Sequence, residues 1–402
     1  MSRAAAALSA LLASALCAGC ARDIFPRMSD IEQFEIIRVV GVDAADGDAT
    51  TAGHVEVTLL AGKPEPESDA EQEAAGMAYT LASESAPTAF EAISLLNARA
   101  DRRQHLGYID YYIVGEQAAR DGIAKYTDFF IRDHETRFSS RVYIARDTTA
   151  RELMALSCSS NGNLEDALDS MEETVNVMSN TSLVRVIDMM NMLDDRSAAA
   201  VLPALRCRLA DGDGEGGDDP EFSLAPAGYA VLDGGGLTGF IEPEYARGYN
   251  FLTNRVRACP VSVEDDYGER AGFEIVSENT RVSARFDEDG VPREVVYSAR
   301  VYANIAEQHS DADIFTPSAR RRLSAGISEV IRSEMRRVIA RSLTLGLDCT
   351  QLGERLRAAH PVKWRNIEKN WREIYPALRI SVTVETEIMR VYSLREPSAA
   401  AA

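Results

Sequence analysis

Histidine, tryptophan and cysteine are all scarce in this chain, and the few copies present are poorly spaced for chemistry. The five histidines (His54, His105, His134, His309, His360) stand far apart in sequence. Only His134 is flanked by carboxylates, in Asp133-His134-Glu135, and no second histidine follows to complete the H-E-x-x-H spacing of a zinc protease. It reads as a solvated loop residue after a helix. Outside Cys17/Cys20 there is no C-x-x-C pair, which excludes the closely spaced ligands of a structural zinc site. Cys158, Cys207, Cys259 and Cys349 are widely scattered and read as small buried hydrophobes, with a disulfide as the alternative reading. The P-loop and the G-x-S-x-G nucleophile elbow are both missing, and Gly234-Gly235-Gly236 is no phosphate cradle. Asp211-x-Asp213-x-Glu215-Gly216 resembles half a calcium loop, but Phe222 stands where the bidentate glutamate is needed. The sequence therefore carries no catalytic, metal or cofactor site, and the expectation is a protein that is not an enzyme.

Positive charge is also short. A net charge of −20 argues against a nucleic-acid binder and against a polybasic membrane patch. What is present comes first at the N-terminus. Arg3 precedes an apolar run from Ala4 to Leu16, and Ala18-Gly19-Cys20 closes it. A spanning helix needs about 20 apolar residues, so this run is too short and suits a secretory signal. Small residues before a cysteine form a lipoprotein cleavage site, so residues 1–19 are read as signal peptide and Cys20 as the lipidated residue. Cys17 occupies the place of the usual leucine, which makes the lipobox atypical. The remainder reads as a body held to the outer face of a membrane by its N-terminal lipid.

Strands and helices alternate along the rest. Residues 36–42, 54–60, 79–83, 108–114 and 141–145 read as strands, and 87–101, 116–131, 164–178 and 183–193 as helices, with a bend near Asp121-Gly122. The acidic, glycine-rich run 211–220 cannot bury apolar surface and reads as a linker over 211–226. It separates an N-terminal α/β domain (20–210) from a C-terminal α+β domain (227–395). In the second, runs 255–260, 272–277, 282–286 and 294–305 suggest an antiparallel meander, followed by a long helix over 317–345, shorter helices over 352–357 and 364–374, and a last strand over 378–391. The fold class is thus mixed α/β or α+β, in two to three domains, each a mixed or antiparallel sheet packed with helices.

Several segments resemble, in order, the Ger(x)C family of spore germination lipoproteins. Asp30-Ile31-Glu32 followed by Ile36 to Val42 and Asp43 is similar to the family's opening strand ending in G-x-D. Ile113-Val114-Gly115-Glu116 resembles its strand ending in G-E, and Ala118 to Ile123 with Asp128 to Asp133 its "A-x-x-G-I … D-F-x-x-R-D" signature. Gly228 to Val231 with Leu237-Thr238-Gly239 is similar to its strand before an L-x-G turn, and Trp364 with Trp371 to its paired tryptophans. The segment 345–353 departs from the family's glycine-rich run. The resemblance implies a C subunit of a nutrient germinant receptor on the spore inner membrane. Its partners would be an A subunit and a permease-like B subunit. A substrate-binding lipoprotein that hands a nutrient to a permease is the alternative, and it calls for two doubly wound lobes around a cleft. Trp364 and Trp371 are seven apart and so would share a helix face, as packing residues or as partner anchors. Arg132 and Asp133, at a helix end, are read as a structural cluster or a partner contact.

Overall fold

The computed structural model describes residues 34–45, 53–62, 79–159, 164–209, 222–310 and 316–391. Cys20, the signal segment and the calcium-like run at Asp211 lie outside the described residues.

The first sheet has a parallel centre and antiparallel margins. Its strands are β1 (Phe34–Ala44), β2 (Val55–Gly62), β3 (Tyr79–Ala86), β4 (Arg103–His105), β5 (Tyr111–Gly115), β6 (Arg141–Ala145), β7 (Ala200–Leu209), β8 (Phe222–Asp233) and β9 (Gly236–Ile241). They lie in the order β3-β2-β1-β5-β6-β7-β8-β9, with β4 pairing the start of β1. β1, β5, β6 and β7 are mutually parallel; β2–β3 and β8–β9 add antiparallel hairpins on the two sides. Central parallel strands must be apolar on both faces, and these are. Val40, Val42, Tyr112, Val114, Val142 and Ile144 face one core, beneath α1 (Ala89–Arg99), α2 (Glu116–Arg132) and α5 (Val186–Asp194). Val39, Tyr111, Ile113, Tyr143 and Ala145 face the other, beneath α3 (Ala150–Ser159) and α4 (Leu164–Met178).

The second sheet contains β10 (Cys259–Glu264), β11 (Arg270–Phe286), β12 (Pro292–Gln308) and β13 (Arg379–Val391), in that order. The first three are antiparallel, but β13 runs parallel to β12, so the sheet is mixed. α7 (Pro317–Leu345) packs on it through Leu323, Ile327, Ile331, Met335 and Val338. Thr316 caps its start and Gly346, at φ 67°, ends it in the left-handed conformation. α6 (Ala246–Leu252), α8 (Leu352–Ala359), α9 (Pro361–Ile367) and α10 (Trp371–Ile374) complete the layer.

Mixed α+β layers in two sheets match the expected fold class, and several boundaries move. Runs 272–277 and 282–286 are one 17-residue strand, because β12 pairs it along its whole length and overrides the low propensity of Ser277-Glu278-Asn279. The strand expected over 255–260 starts only at Cys259, since Arg255–Ala258 is an irregular turn after α6. The helix expected over 364–374 is broken by a 3-10 turn at Glu368–Asn370. α3, α6 and β7 were not anticipated; the two helices are short, and Pro203 interrupts the apolar run of β7. The acidic run 211–220 joins β7 to β8, which pair directly (Arg208↔Ser223, Leu209↔Phe222). It therefore connects neighbours in one sheet, and β8 and β9 pair with the N-terminal strands rather than with the second sheet.

Candidate functional site

The family-like segments converge on a few structural nodes. Asp43, at the end of β1, is buried and points across the sheet end to the start of α3. Its Oδ1 accepts from the Ala150 amide at 2.7 Å and its Oδ2 from the Arg151 amide at 3.0 Å. This is a helix cap supplied from another element, since the first amides of a helix lack internal partners. Burial pushes the Asp43 carboxyl up to about 6, against the opposing pull of those two amides. The neighbouring strand must leave room. A Cβ on Gly115 would stand 1.9 Å from Asp43 Oδ1, so only glycine fits there. Glu116, next in sequence, accepts from the Asp147 amide at 2.7 Å and pairs with Arg120. G-x-D and G-E are thus two halves of one joint.

A second node explains the A-x-x-G-I segment. α2 is kinked at Gly122, whose φ of 115° and ψ of 106° are open to glycine and costly for other residues. The kink frees the Ile123 amide, which donates to the Gly235 carbonyl at 2.9 Å. The glycine run at 234–236 is therefore the tight β8–β9 turn that docks on the bent helix.

The third node ties the sheets together, and sequence reasoning missed it. Asp348, just beyond α7, is buried. It accepts from the amides of Thr350 (3.2 Å), Leu352 (3.0 Å) and Gly353 (2.7 Å) and from Trp371 Nε1 (3.3 Å). Burial raises its pKa, and the amide and indole donors pull against that rise. Its backbone carbonyl accepts from the Ala199 amide, just before β7. Nearby, Arg372 forks onto Asp233 at 3.1 and 2.5 Å and donates to the Arg196 carbonyl. A small cleft of about 50 Å³ lies here, lined in part by Asp195, Arg196, Gly235 and Arg372. An acidic residue just ahead of a short helix is the signal that could have found Asp348.

The candidate contact residues separate. Arg132 is 76% exposed and pairs with Asp128 at 2.8 Å, one helical turn back. Asp133 caps a turn, accepting from the Glu135 amide at 2.7 Å. The two do not pair with each other. Trp364 and Trp371 do meet, with ring centroids 5.1 Å apart and edge to face. They meet across the broken helix rather than along one face, and both are buried, Trp371 completely. In this fold they pack the core and offer no surface to a partner. Cys259 and Cys349 are buried, and desolvation pushes both thiols up to about 12, which leaves them inert at neutral pH. Among the described residues no group of three or more His, Cys, Asp or Glu side chains could hold a metal ion. Among them, too, no helix is long and apolar enough to cross a membrane.

Comparison with known proteins places these nodes in a family. Residues 27–206 match the family described as the spore germination protein N-terminal domain. Residues 227–392 match the family described as spore germination B3/GerAC like, C-terminal. No curated protein matches the sequence. Among solved structures, the crystal structure of the GerBC protein is similar in fold, with a TM-score of 0.53 at 15% identity, covering 87% of this chain and 96% of that one. With both halves matched, in order and over most of its length, the chain belongs to the B3/GerAC-like family of spore germination proteins.

Proposed function

We propose that this protein is the lipid-anchored, non-catalytic C subunit of a spore nutrient germinant receptor, needed for receptor assembly and the germination response. The observation that carries the reading is the two-part family match lying directly behind a lipoprotein-type cysteine, Cys20. The lipid holds the body on the outer surface of the spore inner membrane, beside an A subunit and a permease-like B subunit. One acyl chain binds a membrane only marginally, so stable anchoring calls for diacylation or a membrane partner. The body then acts as a rigid spacer and docking piece, and nothing in it has to change a covalent bond.

The decisive experiment pairs membrane fractionation with pull-down of the permease-like subunit, in wild type and Cys20→Ala. Wild type should fractionate with membranes and retain the partner; Cys20→Ala should be released from membranes by a high-salt wash and blunt nutrient response. An unmodified mature N-terminus in mass spectrometry would defeat the anchoring. The substrate-binding alternative requires two similar lobes, whereas the two sheets here differ in strand number and order. Calorimetry with amino acids and sugars separates the readings, since micromolar binding by this subunit alone would sink the proposed one.

A further inference from the structure

The strands at the centre of the first sheet all start toward one end of the molecule. β4, β5 and β6 run parallel to β1; Phe34 pairs Arg103 at that end, and Tyr111 and Arg141 start further in, beside Val39. α1 and α2 return to it and deliver two loops, Ala100–Arg102 and Asp133–Ser140. An aromatic rim stands there. The Phe34 ring is 5.6 Å from His105, and His105 is 5.5 Å from Tyr108. The Arg137 guanidinium lies 5.0 Å from the centre of the Tyr108 ring. Tyr108 is 42% exposed and the adjoining Phe138 47%.

These side chains are held in place by their backbones. Ser140 Oγ donates to the Ile109 carbonyl at 2.6 Å, and the Arg141 amide to the Asp110 carbonyl at 2.7 Å. The Tyr108 and Phe138 loops are thereby stitched together, and the aromatics stay outward. Arg102 and Arg103 are exposed beside them, Arg103 with Glu135 at 3.9 Å. The exposed rings of Tyr108 and Phe138, with arginines at their margin, match a lipid–water boundary, where aromatic rings sit at headgroup level and cations meet anionic headgroups.

The tether joins the body at this end, where β1 begins at Phe34. Cys20 stands only fourteen positions before Phe34. A chain of that length spans at most about 50 Å even when fully extended. We propose that this end of the first sheet is a docking surface for an anionic lipid headgroup layer, with Tyr108 and Phe138 entering the interface and Arg102, Arg103 and Arg137 lying among the headgroups. The orientation rests on the anchoring of Cys20 proposed above; the affinity of the surface does not. The surface is aromatic-led, which sets it apart from the polybasic patch that the net charge argues against.

Two arms test this on the full chain. In the first, Phe138→Trp in the lipidated protein is reconstituted on vesicles of phosphatidylcholine and phosphatidylglycerol, with and without brominated acyl chains. Trp364 and Trp371 are buried in the other half and supply a constant background. The added emission should be quenched by brominated lipid, whereas that of a Val362→Trp control should not. A protein that sediments with vesicles but shows no such quenching overturns the docking while leaving the anchor intact. Shielding from aqueous acrylamide without brominated-lipid quenching assigns the rim to a protein partner and equally overturns it. In the second arm, Cys20→Ala removes the lipid. This chain should bind the anionic vesicles more tightly than pure phosphatidylcholine ones and lose binding in high salt. Each arginine near such a surface contributes about fivefold. Arg102→Glu with Arg103→Glu should therefore weaken binding at least tenfold, and Phe138→Ser by itself severalfold, with unchanged thermal stability. Binding unaltered by either variant, or none above the phosphatidylcholine level, overturns the proposal whether or not Cys20 is lipidated.

Discussion

The two sheets are stabilised in different ways. The first is buried on both faces, so its fold is fixed where strands hand over to helices. Asp43 and Gly115 sit at strand ends and Gly122 at the bend of α2, and each serves a neighbour distant in sequence. The second has one long helix that reaches both outer strands. Gly326 of α7 lies against Val263 of β10, and Ser328 Oγ donates to Thr386 Oγ1 of β13 at 2.8 Å. α7 thus spans one face of the sheet from one outer strand to the other. The second sheet is fixed by one apolar stripe and by a buried polar network beyond its end, where Asp348 stands beside the Tyr297–Thr350 and Ser342–Tyr375 pairs. One half spreads its polar fixings over separate boundaries; the other gathers its densest set around Asp348.

The largest effect should therefore come from Asp348. Asp348→Ala strips acceptors from three amides and the Trp371 indole inside the core. Orphaned buried donors cost about 1–3 kcal/mol each when fully exposed to the loss, and partial relaxation brings the sum to about 3–5 kcal/mol. Chemical denaturation measures it. A loss below about 1 kcal/mol would mean that the second sheet is not centred on this residue.

Gly115→Ala should rank next, at about 2–3 kcal/mol, because the added Cβ meets Asp43 Oδ1 and must expel the α3 cap. Asp43→Ala in the same background should then cost little more, since the cap is already lost. Fully additive losses in that double-mutant cycle would show that Asp43 and Gly115 do not form one joint.

Both nodes bear on what was legible in the sequence. Helix α7 could be read from its stripe of Leu323, Ile327, Ile331 and Met335, and the bend in α2 from Asp121-Gly122. The G-x-D and G-E segments were visible as patterns, but their meeting was not, because 72 positions separate Asp43 from Gly115. β11 looked like two strands because its middle is polar, and only its pairing with β12 makes it one. The paired tryptophans could be read as packing residues or as partner anchors, and both are buried, meeting across the break at Glu368–Asn370. The aromatic rim was not seen, since Tyr108 and Phe138 lie thirty positions apart and join only through parallel strands.

The third effect is a pH dependence. Glu278 on β11 is pushed up to about 7, first by burial, with Thr280 and the Val256 backbone pulling the other way. A carboxyl raised by folding contributes stability below its unfolded pKa, near 4.5, and loses it as pH rises through about 7. Asp43 follows the same sign with a limit near 6. Glu278→Gln should flatten the stability profile between pH 5 and 8 and raise stability at pH 8 by about 1–2 kcal/mol, after allowance for its partial exposure. An unchanged slope would mean that Glu278 is solvated in the native state.

The smallest effect probes the joint between the halves. Arg372 forks onto Asp233, linking α10 to β8 at a half-exposed site. Such pairs contribute about 0–1 kcal/mol. The same joint is also covered by a continuous core, where Ala199, Val201, Tyr229 and Val231 of the first sheet touch residues of the second. If that shared core holds the halves together, Arg372→Ala should lower stability by less than about 1 kcal/mol and leave a single unfolding transition. Two separated transitions in calorimetry would instead assign the coupling to the ion pair and make the halves independent bodies joined at their surfaces.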